Sequence, residues 1–250
     1  MKIVRFLHKG SECYGIVDGL QVKVAAGSPF DSLRPTGEML PFAGLKLLSP
    51  CMPGKALCIG LNYRDHAVEF GLPIPATPVV FIKPSTAVIA PFECIERPAV
   101  SRQVEFEGEL VVVIGRKAKN VSAGEAAGHI LGYTCGNDVT ARDLQPKEGQ
   151  WTMSKSFDSF LPFGPWIETE VDPSSLNIRS FLNGQTKQSS NTANLIFAVP
   201  KLVEYLSAIM TLEPGDIIMT GTPSGVGPMQ AGDEVVVEIE GIGRLVNPVH

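Results

Sequence analysis

The sequence predicts a β-dominated α+β protein: a mixed β-roll or sandwich with a small β-rich appendage at its N terminus. Short apolar runs bounded by Gly, Pro, Asn and Asp recur along the chain, and such runs read as strands. Residues 192–210 are the one long stretch with helical spacing, and Pro200 either divides it or starts its second part. Hydrophobic residues make up 44% of the 250 positions, enough to fill the core of one large domain with an appendage.

Residues 1–50 form the appendage. Segments 3–7, 14–17 and 22–24 are strand patterns, with a hairpin signal at Asp18-Gly19. Segment 27–44 is rich in Gly, Pro and Ser and reads as loop or linker. Segment 47–53 ends this part and carries the boundary, leaving 51–250 as the larger domain. Segment 56–60 is a short apolar strand. Residues 62–71 follow as a helix of about two turns, with Asn62 as N-cap, Asp65 near the positive dipole end and Gly71 at the C-cap. His66 and Glu69 share one face of it. Pro73, Pro75 and Pro78 force an extended exit, so this short helix is a lid candidate; the alternative is a histidine that merely packs there. Strand 79–82 ends at Lys83, which either reaches a buried anion or runs out to water.

Residues 104–115 are the most informative stretch. Glu105, Glu107 and Glu109 alternate, then an unbroken Val/Ile run follows. Alternation puts the three acids on one face of a strand, and the apolar run reads as a strand buried on both sides. Buried carboxylates need a counter-charge or a metal, so either a divalent cation sits here or the acids line a solvated sheet edge. Gly108 leaves room on the opposite face. Ser122 and Glu125 form a capping box for a short helix. Strand 130–135 leads to Asp138, at a strand end favoured for site residues or as the cap of a helix starting near Thr140. Lys155 is the lone base in an apolar, hydroxyl-rich segment. Segment 178–182 with Asn183-Gly184 is a hairpin. The 220–228 loop, dense in Gly and hydroxyls, has backbone N–H groups able to cradle an anion, but lacks the P-loop lysine. Strands 234–240 and 243–246 close the chain.

A net charge of −5 argues against nucleic acid. No apolar run approaches the ~18–20 residues of a membrane span, and the first residues lack a signal-peptide pattern. The five cysteines are odd in number, widely spaced and without a CxxC pair. They read as free thiols in a reducing, cytoplasmic compartment.

Six separated stretches then fit one pattern: Gly60-Leu61-Asn62-Tyr63 with His66 and Glu69; Lys83-Pro84-Ser85; Glu107-Gly108-Glu109-Leu110; Asn137-Asp138 through Gln145; Lys155-Ser156-Phe157; and Thr220-Gly221-Thr222-Pro223-Ser224-Gly225-Val226. Together, in collinear order over 55–246, they resemble the fumarylacetoacetate hydrolase superfamily. The resemblance implies a mixed β-roll with Mg²⁺ or Mn²⁺ on Glu107, Glu109 and Asp138. It makes Lys155 the active-site lysine and Gln145 an oxyanion or substrate donor. Arg142 and Thr222, with Lys83 and Gly221, become substrate contacts, and His66 with Glu69 a lid dyad that activates water. Glu105 falls outside the ligand pattern and is left as a solvated or second-layer acid.

The implied chemistry is a metal-stabilised enolate of a 2-oxo (di)acid. The appendage resembles the branch holding 2-hydroxyhepta-2,4-diene-1,7-dioate isomerases and related decarboxylases, which is the expected activity. Acylpyruvate or fumarylpyruvate hydrolysis and oxaloacetate decarboxylation are the alternatives; Leu61 stands where many acylpyruvases carry arginine. An idle metal-binding member would lack a ligand or Lys155, and neither is missing. A thiol enzyme using Cys58 or Cys135 would need a nearby histidine in sequence, which neither has. The resemblance also implies a homodimer.

Overall fold

The computed structural model describes residues 1–69, 71, 73–147 and 149–250. Its first four strands, β1 (Lys2–His8), β2 (Ser11–Asp18), β3 (Gln21–Gly27) and β4 (Leu33–Pro41), form an antiparallel meander. The expected turn separates β2 from β3, with Gly19 at φ +59°. β4 overturns the expected loop across 27–44. It carries Pro35 and Gly37, its register slips opposite Lys23 and Ala25, and most of its residues are exposed. Proline is tolerated on an edge strand, where its missing N–H deprives no neighbour. The turn-like composition therefore hid a strand.

β5 (Lys46–Leu47) also pairs with β1. Then come β6 (Ala56–Gly60), the helix α1 (Arg64–Glu69), β7 (Val79–Lys83), β8 (Val88–Ile89), β9 (Val104–Phe106), β10 (Gly108–Ile114), β11 (Ile130–Asn137), β12 (Thr140–Ala141) and the one-turn helix α2 (Thr152–Lys155). β13 (Leu161–Glu168), β14 (Asn177–Leu182) and β15 (Gln185–Asn191) precede the helix α3 (Val199–Ile209). β16 (Ile217–Met219), β17 (Gly227–Pro228), β18 (Glu234–Ile239) and β19 (Gly243–Pro248) complete the chain. The largest sheet runs β4-β3-β2-β1-β13-β11-β10-β16-β6-β7, so the meander continues into it through the β1–β13 pairing. Two smaller sheets run β12-β9-β17 and β15-β14-β18-β19. The fold is the strand-dominated α+β class the sequence predicts.

β10 is buried along its whole length. Leu110, Val112 and Ile114 enter the core cluster that α3 covers, while Val111 and Val113 enter a second cluster behind the sheet. Period-two alternation thus serves two cores at once. α3 buries Val199, Leu202, Val203 and Leu206, a spacing that keeps one face apolar. It is shorter than expected: 192–194 is a separate 3₁₀ turn, and Pro200 lies in the first turn of the helix, where no N–H partner is needed. No helix among the described residues is long and apolar enough to cross a membrane.

Gly108 has the opposite-face role expected, but the space is filled. A Cβ there would sit 2.2 Å from Ser180 Oγ and 3.2 Å from Gln188 Oε1, both contributed by the β14–β15 hairpin. Gly108→Ala should therefore cost about 1–3 kcal/mol through overpacking. Equilibrium denaturation reads this directly, and an unchanged midpoint would mean the hairpin yields without strain.

Three local expectations need correction. Asn62 caps no helix; its amide donates to Phe197 O (3.0 Å) and Thr220 O (2.7 Å), and its Oδ1 accepts from Phe197 N. No helix begins at Thr140: β12 is followed by a 3₁₀ turn at Arg142–Leu144, and Asp138 caps nothing. Only half of the Ser122–Glu125 capping box forms: Glu125 accepts from Ser122 N and Oγ, but Glu125 N donates to the Ser122 carbonyl rather than to its hydroxyl, and only one 3₁₀ turn follows. The expected 62–71 helix is realised as α1; Phe70 lies outside the described residues.

Candidate active site

β9 and β10 are consecutive in sequence but belong to different sheets, and Glu107 occupies the break between them. The register Gly108↔Asn137 sets the end of β11 beside that break. Asn137 Oδ1 accepts from Glu107 N (2.9 Å), and Asp138 N donates to Glu107 O (2.8 Å). Asp138 is thereby fixed next to Glu107. Glu107, Glu109 and Asp138 are all buried and offer ligand oxygens within 4.8 Å of one another.

Such a cluster needs positive charge around it. Lys155, 3% exposed on α2, lies 2.8 Å from Glu107 Oε2 and 2.7 Å from Asp138 Oδ2. Lys83 Nζ lies 2.6 Å from Asp138 Oδ1 and also donates to Val139 O (2.9 Å) and Phe160 O (2.5 Å). Asp138 is thereby held between two buried ammonium groups, Lys83 at Oδ1 and Lys155 at Oδ2. Arg142 donates from Nε to Glu105 Oε2 (2.7 Å), from Nη1 to Gln145 Oε1 (2.5 Å) and from Nη2 to Glu107 Oε1. Glu109 Oε2 accepts from Gly221 N (2.7 Å).

These surroundings drive the carboxyls apart. Burial pushes Glu107 up, but the Lys155 and Arg142 charges outweigh it and hold the group below the usual carboxylate range. Burial also pushes Glu109 up, and the Asp138 and Glu107 charges push the same way, so it ends well above that range. Burial opposes the charge on Lys155, but Asp138 and Glu107 overcome it and raise the ammonium. For Lys83 burial prevails over Asp138, and the ammonium is lowered.

The cluster opens into a cavity of about 520 Å³, within the usual range for small-molecule sites. Its polar lining is Glu107, Glu109, Asp138, Lys155, Arg142, Gln145, Lys147, Thr222 and His66; Ile59, Gly60, Leu61, Pro146 and Trp151 complete it. Trp151 packs so close over Gly60 that a Cβ there would be 2.3 Å from the ring. Phe81 meets Trp151 edge-on at 5.5 Å between centroids and lies 5.0 Å from Lys155 Nζ.

α1 brings His66 into the wall. His66 Nδ1 is 3.1 Å from Glu69 Oε2, and Glu69 Oε1 accepts from Gly225 N (3.0 Å). Asp65 Oδ2 accepts from Ser190 Oγ (3.0 Å) and Ser224 Oγ (3.4 Å). The short helix is thus fastened to the 220–228 loop, which gives it the stability its length alone would deny.

Most residues singled out in the sequence meet at this cavity. Glu69, Lys83 and Gly221 do not line it; they hold His66, Asp138 and Glu109 from behind. The anion that Gly221 N cradles is a side chain of the protein itself. Thr222 lines the cavity, and its Oγ1 donates to Gly108 O (2.9 Å) and accepts from Gln188 Nε2 (2.8 Å). Glu105 is not solvated: it is 6% exposed and holds Arg142. Trp151 and Gln188 were missed, and Asn62 was read as a helix cap. Gln188 sits in a polar hairpin strand and reaches Gly108 N from 80 positions away, a contact with no local signature. Cys58 and Cys135 are buried free thiols, and burial pushes both upward, away from the thiolate a nucleophile requires.

The sequence profile described as "Fumarylacetoacetate (FAA) hydrolase C-terminal" matches residues 55–250. The chain belongs to the fumarylacetoacetate hydrolase family. Residues 1–50 match the profile "Rv2993c-like, N-terminal". Among relatives of this family chain, Protein Rv2993c of Mycobacterium tuberculosis is 46% identical over 259 residues, covering 100% of this chain and 98% of that one. The crystal structure of 2-hydroxyhepta-2,4-diene-1,7-dioate isomerase from Mycobacterium marinum aligns with a TM-score of 0.93 at 45% identity, over 100% of this chain and 98% of that chain. Oxaloacetate tautomerase fahd2, mitochondrial, of Xenopus laevis is 41% identical over 225 residues, 85% of this chain and 70% of that protein. Fumarylacetoacetate hydrolase family members are enzymes, generally dependent on a divalent metal, and the buried carboxylate triad here could hold one.

Proposed function

We propose that this chain is a divalent-metal-dependent isomerase or tautomerase that moves a proton on the enolate of a 2-oxo (di)acid, with decarboxylation as a related outcome of the same intermediate. The observation that carries the reading is one cavity with the carboxylate triad and Lys155 on its floor and His66 in its wall. The names of similar proteins, a heptadienedioate isomerase and an oxaloacetate tautomerase, favour proton transfer over bond hydrolysis.

The residues present fit a metal. All three donors are hard carboxylate oxygens, buried and within 4.8 Å of one another, which suits Mg²⁺ or Mn²⁺. Among the described residues, four carboxyl groups, Glu105, Glu107, Glu109 and Asp138, are gathered with Lys83, Lys155 and Arg142, and a further cation would relieve the repulsion that pushes Glu109 up. Held by Glu107, Glu109 and Asp138, the ion would act as a Lewis acid toward the substrate's oxygens.

The protein's own groups do the rest. Arg142 can only donate, so the Gln145 atom facing it is the oxygen, and Gln145 offers its NH₂ as a donor to an oxyanion. Lys155 places a fixed positive charge beside the triad, where negative charge develops. Glu69 accepts at His66 Nδ1 and orients the imidazole that takes and returns the proton at C3. Ile59, Leu61 and Trp151 keep water from the enolate. Residues 1–50 act in this reading as a small β-rich domain joined to the catalytic domain of 51–250, and the working unit is a homodimer; light scattering at a monomer mass would remove that last element.

A test follows from the substrates. The metal-loaded enzyme is offered enol-oxaloacetate, unsaturated heptadienedioates and acylpyruvates, before and after EDTA. Metal-dependent ketonisation or double-bond migration supports the reading. Cleavage of acylpyruvates alone would favour the hydrolase alternative, for which the His66–Glu69 pair could activate water. His66→Ala should lower turnover by about 10²–10⁴-fold and leave Mn²⁺ affinity unchanged by titration calorimetry. Loss of the folded state instead would make His66 a packing residue.

A further inference from the structure

The triad explains Glu107 and Glu109, and leaves unexplained why the same face carries a third buried acid. Glu105 is 6% exposed and touches none of the cavity's open space. One of its oxygens accepts from Gln103 Nε2 (2.6 Å) and the other from Arg142 Nε (2.7 Å). The backbone enforces the meeting: β12 pairs with β9 in the register Thr140↔Glu105 and Ala141↔Val104, and Arg142 N donates to Gln103 O (2.7 Å). Arg142 therefore leaves β12 directly beside Glu105.

From there the guanidinium reaches two groups that face the cavity. Nη2 donates to Glu107 Oε1, and Nη1 to Gln145 Oε1. Glu107 is shared, because its other oxygen takes Lys155. A cation that leans harder on Glu107 makes it a poorer ligand, and one that rotates away frees the Gln145 amide to flip. The arginine must be held at its third edge for both contacts to persist, and a planar fork with fixed donors can be held that way.

We propose that Glu105 is a positioning residue which, by holding Arg142 at Nε, keeps Glu107 available as a metal ligand and Gln145 oriented as a donor. This rests on the metal-dependent reading above. Glu105 touches neither metal nor substrate, so its influence should pass only through Arg142.

The test is a double-mutant cycle on the full chain, stripped of metal and titrated with Mn²⁺ by calorimetry. Glu105→Gln keeps the volume and removes the charge. It should weaken Mn²⁺ binding about 10-fold, the lower end of the effect of groups that orient metal ligands, and lower kcat more than it raises KM. Glu105→Asp, which keeps the charge, should recover part of both. In an Arg142→Met background the Glu105→Gln change should have no further effect; if that background does not fold by circular dichroism, Arg142→Lys replaces it. Wild-type Mn²⁺ affinity in Glu105→Gln, or the same loss in both backgrounds, would overturn the proposal and leave the metal reading intact. A wild-type chain that binds no Mn²⁺ would overturn both.

Discussion

Lys155→Met should slow turnover by about 10²–10³-fold and lower the stability of the metal-free protein by about 3–5 kcal/mol, the usual result of removing one member of a buried ion pair. The lysine is 3% exposed and lies on Glu107 and Asp138 at once. Methionine is a flexible apolar chain that fills the space of the lysine stem; what disappears is the charge between two buried carboxylates, together with its approach to the Phe81 ring. Saturating Mn²⁺ should restore part of the lost stability, about 2.7 kcal/mol at a hundred times Kd, because the added cation meets the same two acids. It should not restore activity, for the ion cannot replace an ammonium donor. Loss of one such group costs about 10²–10³-fold in rate. Urea denaturation with and without Mn²⁺, beside a turnover assay, separates the two effects. Wild-type stability in the metal-free variant would mean that Lys155 does not balance the triad.

What was legible in the sequence is what leaves a local mark. The alternating acids running into Leu110–Ile114 announced a strand buried on both faces, and the two core clusters divide its residues in that order. Glu107 and Glu109 stood out because acids running into an apolar strand are costly unless compensated, Asp138 because it ends a strand, and Lys155 as the lone base in an apolar, hydroxyl-rich segment. The compensation itself was not legible. Alternation puts Glu105 on the acidic face but cannot show that Arg142, 37 positions on, would cover it. Asn62 precedes a helix and has a capping side chain, so local rules made it a cap; its partners Phe197 and Thr220 lie 135 and 158 residues away. β4 failed for the opposite reason: its composition carries turn residues, and only its position at a sheet edge makes them tolerable.

Glu109→Gln is the sharper test of the triad, because its two effects have opposite signs. Gln keeps the shape and can still accept from Gly221 N, the bond that holds the 220–228 loop to the floor of the site. It cannot supply an anionic oxygen. Groups that merely orient metal ligands are worth about 10–100-fold in affinity, so loss of a direct ligand should cost about 100-fold or more for Mn²⁺. Without metal the variant should be no less stable than the wild type at neutral pH. Burial pushes the Glu109 carboxyl above its ordinary 4.5, and the Asp138 and Glu107 charges add to the push. An acid raised in the folded state binds more protons there than in the unfolded chain. Its contribution is complete below pH 4.5 and declines as pH rises through the elevated folded value. Glu107 runs the other way: it is lowered, so its contribution is present above 4.5 and declines as pH falls. The Gln variant deletes the first slope and keeps the second. Melting curves of the two metal-free proteins from pH 4 to pH 8 should therefore diverge in the variant's favour as pH rises. Parallel curves would show that the acidic trio does not share one buried site, and unchanged Mn²⁺ affinity would show that Glu109 is not a ligand.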